Sequence, residues 1–194
     1  MRGLFNVENA LGAVAAALLL DLPEEAIVEG LAAVETVPGR FEAIDEGQPF
    51  SVLVDYSHTP ASLETALRSA RGLTEGRVLV VFGAGGDRDR GKRPLMGRVA
   101  AELADVAIVT SDNPRSEDPL AIIQDVLQGA GLGVEIDPDR RSAIARAVLL
   151  AEPGDVVVIA GKGHEQGQEI AEVVHPFDDR AVAREALAAL AASR

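Results

Sequence analysis

Val78-Leu79-Val80-Val81-Phe82 runs directly into Gly83-Ala84-Gly85-Gly86-Asp87-Arg88-Asp89-Arg90-Gly91-Lys92-Arg93-Pro94. An unbroken apolar run of that length, rich in valine, is strand-sized and has no polar face, which is the pattern of a strand buried on both sides. The glycine-rich, charged stretch after it cannot prolong the strand, and a helical pattern follows from Pro94. Working outward, apolar strand-length runs recur at 51–54, 106–109, 133–136 and 156–160. Helix-period segments fill 61–71, 94–103, 119–128 and 140–150, and an Ala-rich helix follows Phe177. Strand and helix alternate, so the expected fold is α/β, a doubly wound and mostly parallel sheet covered by helices on both faces.

Upstream of the first run the pattern changes. Residues 6–20 are Ala/Leu-rich, and Pro23-Glu24-Glu25 is a good helix start, so two short helices are expected to open the chain. Val37-Pro38-Gly39 ends the second, because proline blocks helix continuation and glycine permits the turn. A boundary near residue 45 would then separate an N-terminal portion, 1–45, from the main domain, 46–194.

The chain has 194 residues, 18 Lys+Arg against 31 Asp+Glu, and a formal net charge of −13. Such a field repels nucleic-acid backbones and anionic lipid, so neither nucleic acid nor a membrane is an expected partner. An anionic small ligand would need local arginines or backbone N–H groups working against that field. Cysteine is absent and there are 3 His, so disulfides and thiolate zinc sites are excluded and no metal-ligand set is expected. The apolar stretch Ala13 to Leu20 falls short of the ~18 residues a membrane span needs and reads as a helix; a cytoplasmic protein is expected.

In open α/β sheets ligands bind beyond the carboxyl ends of the strands. The loops there are chemically dense: Asp55-Tyr56-Ser57-His58-Thr59-Pro60, the glycine loop at 83–94, Ser111-Asp112-Asn113-Pro114-Arg115, and Gly161-Lys162-Gly163-His164-Glu165. Two familiar readings of the glycine loop fail at a definable residue. Gly83-x-Gly85-x-x-Arg88 has arginine where a dinucleotide fingerprint needs a third small residue, and Gly86-x4-Gly91-Lys92 has Arg93 where a P-loop needs Ser or Thr for magnesium. A Gly-rich turn with a solvated charge cluster stays open beside them.

Asp112-Asn113-Pro114-Arg115 could be a turn in which Asp and Asn bond their own backbone. It also presents an acceptor, an amide and a forked cation together. Arg88 or Arg115 suits a carboxylate, and Asp112 or Glu165 an ammonium, an inventory that fits a small diamino acid. His58, beside Asp55, is the histidine with a ligand-facing position; His164 and His175 read as loop-packing and structural. Asn6 and Asn9 share a helix face, as caps or as ligand groups, and Arg40 follows the expected hinge, where a cation could reach a ligand held between two domains.

Taken in order, Gly3-Leu4-Phe5-Asn6-Val7-Glu8-Asn9-Ala10-Leu11, Val37-Pro38-Gly39-Arg40-Phe41-Glu42, Asp55-Tyr56-Ser57-His58-Thr59-Pro60 and Asp112-Asn113-Pro114-Arg115 resemble the Mur ligases, in particular the branch that adds diaminopimelate. The resemblance covers essentially the whole chain and implies a Rossmann-like C-terminal domain, 46–194, preceded by two helices from the end of a central ATPase domain. It implies ATP contacts at Asn6, Asn9, Arg40, Asp55 and His58, with Arg40 catalytic. It implies meso-diaminopimelate contacts at Arg88, Asp112, Asn113, Arg115, Gly161 and Glu165. The reaction implied is ATP-dependent amide formation with UDP-N-acetylmuramoyl-L-alanyl-D-glutamate through an acyl phosphate, in peptidoglycan synthesis. Magnesium would accompany ATP, its ligands expected in the part of the central domain that this sequence does not carry; without a P-loop the chain is expected to be inactive alone. A stand-alone, non-catalytic amino-acid or nucleotide binder is the second reading. A nicotinamide-binding oxidoreductase half is the third, and it fails at Arg88.

Overall fold

The computed structural model describes residues 4–34, 36–131 and 133–193. Two helices open it, α1 (Leu4–Leu19) and α2 (Glu24–Ala33). A six-stranded sheet follows, built from β1 (Glu42–Ile44), β2 (Ser51–Asp55), β3 (Val78–Phe82), β4 (Val106–Val109), β5 (Glu135–Ile136) and β6 (Val156–Ala160) in the order β1-β2-β6-β3-β4-β5. All neighbours are parallel except β1, which pairs antiparallel with β2. The expected mostly parallel α/β sheet is what the chain forms.

The helices start where local chemistry tells them to. Thr59 caps α3 (Pro60–Arg71) with a reciprocal Thr59/Ser62 capping box and proline in the first turn. Asp118 caps α5 (Pro119–Ala130), Asp139 caps α6 (Arg140–Leu150) and Asp178 caps α7 (Asp179–Ala192), each carboxylate accepting a backbone N–H of the first turn. The remaining helix, α4 (Lys92–Leu103), grows directly out of the glycine loop.

Successive strand residues face opposite layers, so β3 feeds two cores at once. Val78, Val80 and Phe82 join Leu63, Leu67, Met96 and Ile122 under α3–α5, while Leu79 and Val81 join Ile44, Val54, Ile144 and Val182 under α6 and α7. This double burial is why the apolar runs lacked a polar face. It also holds the strand ends rigidly at one edge, from which the four polar loops emerge.

The structure adds elements that the sequence reading passed over. β1 falls within 1–45, yet it belongs to the sheet, so the chain enters the sheet by Glu42. A two-stranded antiparallel hairpin, β7 (Gly167–Ile170) with β8 (Val173–Pro176), follows β6 where only loop was expected. Both were hidden because they are short and polar or solvent-facing. Two boundaries move: β5 begins at Glu135 rather than 133, because Gly133 sits at φ +121°, and α4 begins two residues before Pro94. Helices α1 and α2 leave Leu11, Leu19 and Val28 well exposed, and no described α2 residue is buried.

Candidate active site

The loops after β2, β3, β4 and β6 converge at one sheet edge. Arg88, Asp112, Asn113, Arg115, Gly161 and Glu165 line a single cavity of 430 Å3. Asn6, Asn9, Arg40 and Asp55 line a second one of 660 Å3 between α1 and the sheet. The eleven residues singled out by sequence thus fall into two groups along the expected division, with one exception: His58 lines the first cavity, not the second.

The first cavity is organised by a lysine that the sequence reading left out. Lys162 is fully buried, and its Nζ donates to Asn113 Oδ1 at 2.7 Å and Glu165 Oε2 at 3.2 Å and lies 3.6 Å from Asp112 Oδ1. Because β3 separates β6 from β4, this ammonium ties together two loops whose strands are not neighbours. Asn113 is oriented by it together with two other partners: Oδ1 also accepts the Glu169 N–H, and Nδ2 donates to Glu165 Oε2. Asn113 does not bond its own turn. A buried charge held by two acceptors and faced by a further carboxylate at a cavity wall is a functional signal, and Lys162 between two glycines after a buried strand was the clue available.

The chemistry assigned from sequence needs one adjustment. Asp112 and Glu165 already face an internal ammonium, so they do not await a ligand cation as two bare carboxylates. What remains is a buried Asp112 Oδ1 with no hydrogen-bond partner among the described residues, an arrangement costing about 1–3 kcal/mol that a ligand N–H would relieve. The cations differ too. Arg115 is half-buried, donating from Nη1 to Gly86 O at 2.7 Å and lying 3.2 Å from Glu169 through Nε. Arg88 is exposed and donates within its own loop, to Asp87 O at 2.9 Å. Lys92, another lining cation, donates to His58 O at 2.8 Å, and burial lowers its pKa.

Behind the wall stands the fully buried pair Arg140–Asp179, bonded at 2.8 and 2.7 Å. Arg140 also donates to Ala160 O at the end of β6 and to Ser111 O after β4. Burial acts to lower its pKa, and Asp179 outweighs that and raises it. Gly161, at φ +124°, leaves a space that a Cβ would close to 3.1 Å from Asp112 Oδ2.

The glycine loop is a cross-braced turn. Arg93, at the position that breaks the P-loop pattern, is fully buried and pairs with Glu117 at 2.7 Å and Asp125 at 2.8 Å, while donating to Gly85 O. Asp87 accepts from Ser116, and Asp89, which lines the cavity, accepts the Gly91 N–H. The Arg93 hydrogen bond, with the Asp87 N–H, lowers the Glu117 pKa from its ordinary 4.5 to about 2 against the opposing effect of burial. A depressed folded-state pKa contributes stability in full above the unfolded value, lost as pH falls through the folded one. The urea midpoint of the wild-type chain should therefore exceed that of Glu117→Gln clearly at about pH 7, and the gap should largely close by about pH 2. A pH-independent gap would remove this account.

In the second cavity Asp55 turns out to be structural support. Its Oδ2 accepts the Phe41 N–H at 2.8 Å and its Oδ1 the Ser57 N–H at 2.9 Å and the Ser57 hydroxyl. This fastens the 37–41 segment, with Phe41 at φ +52°, to the end of β2. Arg40 lies over the Tyr56 ring, 4.7 Å from its centroid, and the same ring meets His58 at 4.6 Å and His164 at 5.4 Å. Tyr56, the chain's one tyrosine, is the second residue that the sequence reading missed. Gly39 packs on the Gly163–His164 backbone so closely that a Cβ there would lie 2.1 Å from His164 N. Asn9 Nδ2 reaches Asn6 Oδ1 at 3.5 Å, and Asn6 is buried. Among the described residues no group of three or more His, Cys, Asp or Glu is placed to hold a metal ion, so the donor set for magnesium is not met by them.

A mostly parallel sheet with charged loops gathered at its carboxyl edge and a second cavity against α1 is an arrangement suited to a two-ligand enzyme domain. The profile described as "Mur ligase, glutamate ligase domain" matches residues 39–163, and the chain belongs to that family. Among curated proteins it is 53% identical, over 96% of its length, to UDP-N-acetylmuramoyl-L-alanyl-D-glutamate--2,6-diaminopimelate ligase of Streptomyces coelicolor, and 56% identical over 95% to the ligase of that name from Geobacillus kaustophilus. It spans 38% of the length of each. A solved structure of a ligase of the same name superposes with a TM-score of 0.77 at 43% identity, covering 98% of this chain and 40% of that one. UDP-N-acetylmuramate-alanine ligase from Thermotoga maritima, 21% identical with a TM-score of 0.67, shares the fold.

Proposed function

We propose that the chain supplies the amino-acid-selecting domain, and part of the ATP site, of an ATP-dependent ligase that joins meso-diaminopimelate to UDP-N-acetylmuramoyl-L-alanyl-D-glutamate in peptidoglycan synthesis. The observation that carries this is the 430 Å3 cavity, where two arginines, three carboxylates and an oriented asparagine from three strand ends face one volume. Diaminopimelate has two ammonium and two carboxylate groups. Arg115 and Arg88 answer the carboxylates, and Asp112 Oδ1 and Glu165 one ammonium, while the other amine stays available as nucleophile. Lysine lacks the second carboxylate and would leave one arginine without a partner.

In this reading ATP occupies the 660 Å3 cavity against Asn6, Asn9 and Arg40, with Arg40 as the catalytic cation near its phosphates. Asp55 acts by holding the 37–41 segment, and His58, on the other cavity's wall, is the assigned ATP contact that the geometry supports least. The acceptor's carboxylate takes the γ-phosphoryl group, releasing ADP, and the diaminopimelate amine then displaces phosphate from the acyl phosphate to form the amide. The contribution of this chain is positioning and charge neutralisation. Residues 1–45 are read as the end of the central domain and the hinge, and 46–194 as the C-terminal domain; the exposed apolar side chains of α1 and α2 suit a surface that the rest of such a ligase covers. No described helix is long and apolar enough to cross a membrane, and the net charge of −13 agrees with a cytoplasmic enzyme that binds neither membrane nor nucleic acid.

Calorimetric titration of the chain with meso-diaminopimelate, L-lysine and NAD tests the reading. Heat from diaminopimelate alone is expected. Equal binding of lysine, or binding of NAD in its place, would overturn it.

A further inference from the structure

The Asp112–Arg115 loop does not hold its own shape. Arg115 sits at φ +55°, a region that residues other than glycine rarely adopt. Its conformation is set from outside, by Gly86, whose N–H donates to Asn113 O and whose carbonyl accepts from Arg115, and above all by the hairpin. Gln168 Nε2 donates to Asp112 O at 2.8 Å, and the Glu169 N–H donates to Asn113 Oδ1 at 3.0 Å. The Arg115 N–H donates to Glu169 O at 3.0 Å, and the Ala171 N–H to Arg115 O at 2.7 Å, so that Arg115 and Ile170 form a β-bridge. Glu169 Oε2 then steers the guanidinium from 3.2 Å away. Every polar member of the loop that faces the cavity is thus gripped by β7 or its turn.

We propose that the β7–β8 hairpin determines the amino-acid selectivity of the site by templating this loop, with Gln168, Glu169 and Ala171 as positioning residues; the inference rests on the reading of the cavity as the diamino-acid site. Three further features fit that role. The hairpin follows directly on the Gly161–Glu165 loop, so it couples the β6 loop to the β4 loop by backbone as Lys162 does by charge. It forms its own two-stranded sheet, separate from the six-stranded core sheet, and Val173 and Val174 are exposed, so its loss spares the core. Its turn residues, Ala171 at φ +50° and Glu172 at φ +63°, both occupy the left-handed region for which Asn-Gly is the favoured pair.

The test compares meso-diaminopimelate and L-lysine titrations of the wild-type chain with two variants. Ala171→Pro removes the N–H given to Arg115 and forces φ to about −65°. It should lower diaminopimelate affinity about ten-fold or more and erode the preference over lysine, with amide exchange at 111–116 accelerated to match. The melting temperature should shift by no more than a few degrees, about the effect of 1 kcal/mol in a chain of this size. The double variant A171N/E172G suits the turn and should keep or sharpen the preference. Should Ala171→Pro fail to fold, the double variant Q168A/E169Q, which leaves the turn untouched, is expected to erode the preference likewise. A wild-type chain that discriminates, with variants that discriminate equally, overturns this inference alone. A wild-type chain that takes both amino acids alike, or neither, overturns the site reading and the inference with it.

Discussion

Asp179→Ala is expected to lower stability by about 3–5 kcal/mol, which for a chain of this size means a melting temperature roughly 6–20 °C below wild type. Arg140 and Asp179 are both 0% exposed at the side chain, and two bonds of 2.8 and 2.7 Å join them. Removing the carboxylate leaves a guanidinium that can neither reach water nor lose its proton. Ser111 O and Ala160 O, its other acceptors, are neutral and cannot replace the charge. The helix cap is not involved, since Asp178, not Asp179, caps α7. Thermal melting followed by circular dichroism reads the effect, and a loss of under about 2 °C would show that the pair is not the anchor described. Replacing both residues with apolar ones, R140M/D179L, should recover much of the stability, because no orphaned charge then remains. Since Arg140 pins the carbonyls at the ends of β4 and β6, even partly folded Asp179→Ala should bind amino acid poorly.

Arg115→Ala is expected to weaken meso-diaminopimelate binding by about 2–5 kcal/mol, roughly 30-fold to several-thousand-fold, and to abolish the preference over L-lysine. Its guanidinium is pre-oriented at the cavity by Gly86 O and Glu169, so little rotamer freedom is lost when a carboxylate arrives. Truncation removes the fork and leaves that carboxylate desolvated without a partner. The backbone bonds from Arg115 to Glu169 O and from Ala171 do not depend on the side chain, so the loop should keep its path and the melting temperature should change little. Retained discrimination in Arg115→Ala would transfer the selecting role to Arg88 or Lys92 and sink the assignment to Arg115.

Much of the architecture was legible in the chain. Runs such as 78–82 and 156–160 are buried on both faces, and a doubly buried strand must be apolar at every position, which makes it conspicuous. The caps Thr59, Asp118, Asp139 and Asp178 announce their helices for an equally local reason. β1 and the hairpin were not legible: the first is three residues at a sheet edge, and the second carries Gly, Gln, Glu and His with little alternation. Their pairing energy comes from partners remote in sequence. In the site, the residue types of the two groups could be named from their loops, but Lys162 and Tyr56 could not be ranked, because a lysine or tyrosine in a loop is ordinarily a solvated residue.

Sequence by itself determined which loops would stand at the carboxyl edge and which charges they would bring, since alternation of strand and helix dictates a parallel sheet and with it the side from which the chain leaves each strand. Only the tertiary structure decided how those charges are spent. That Asp112 stands near Lys162, that Asp55 fastens Phe41 and that Arg115 is held at the cavity wall depend on distances of 2.7–3.6 Å between groups 14 to 50 residues apart. Electrostatic and hydrogen-bond energies change steeply over that range, and no local pattern in the chain encodes it.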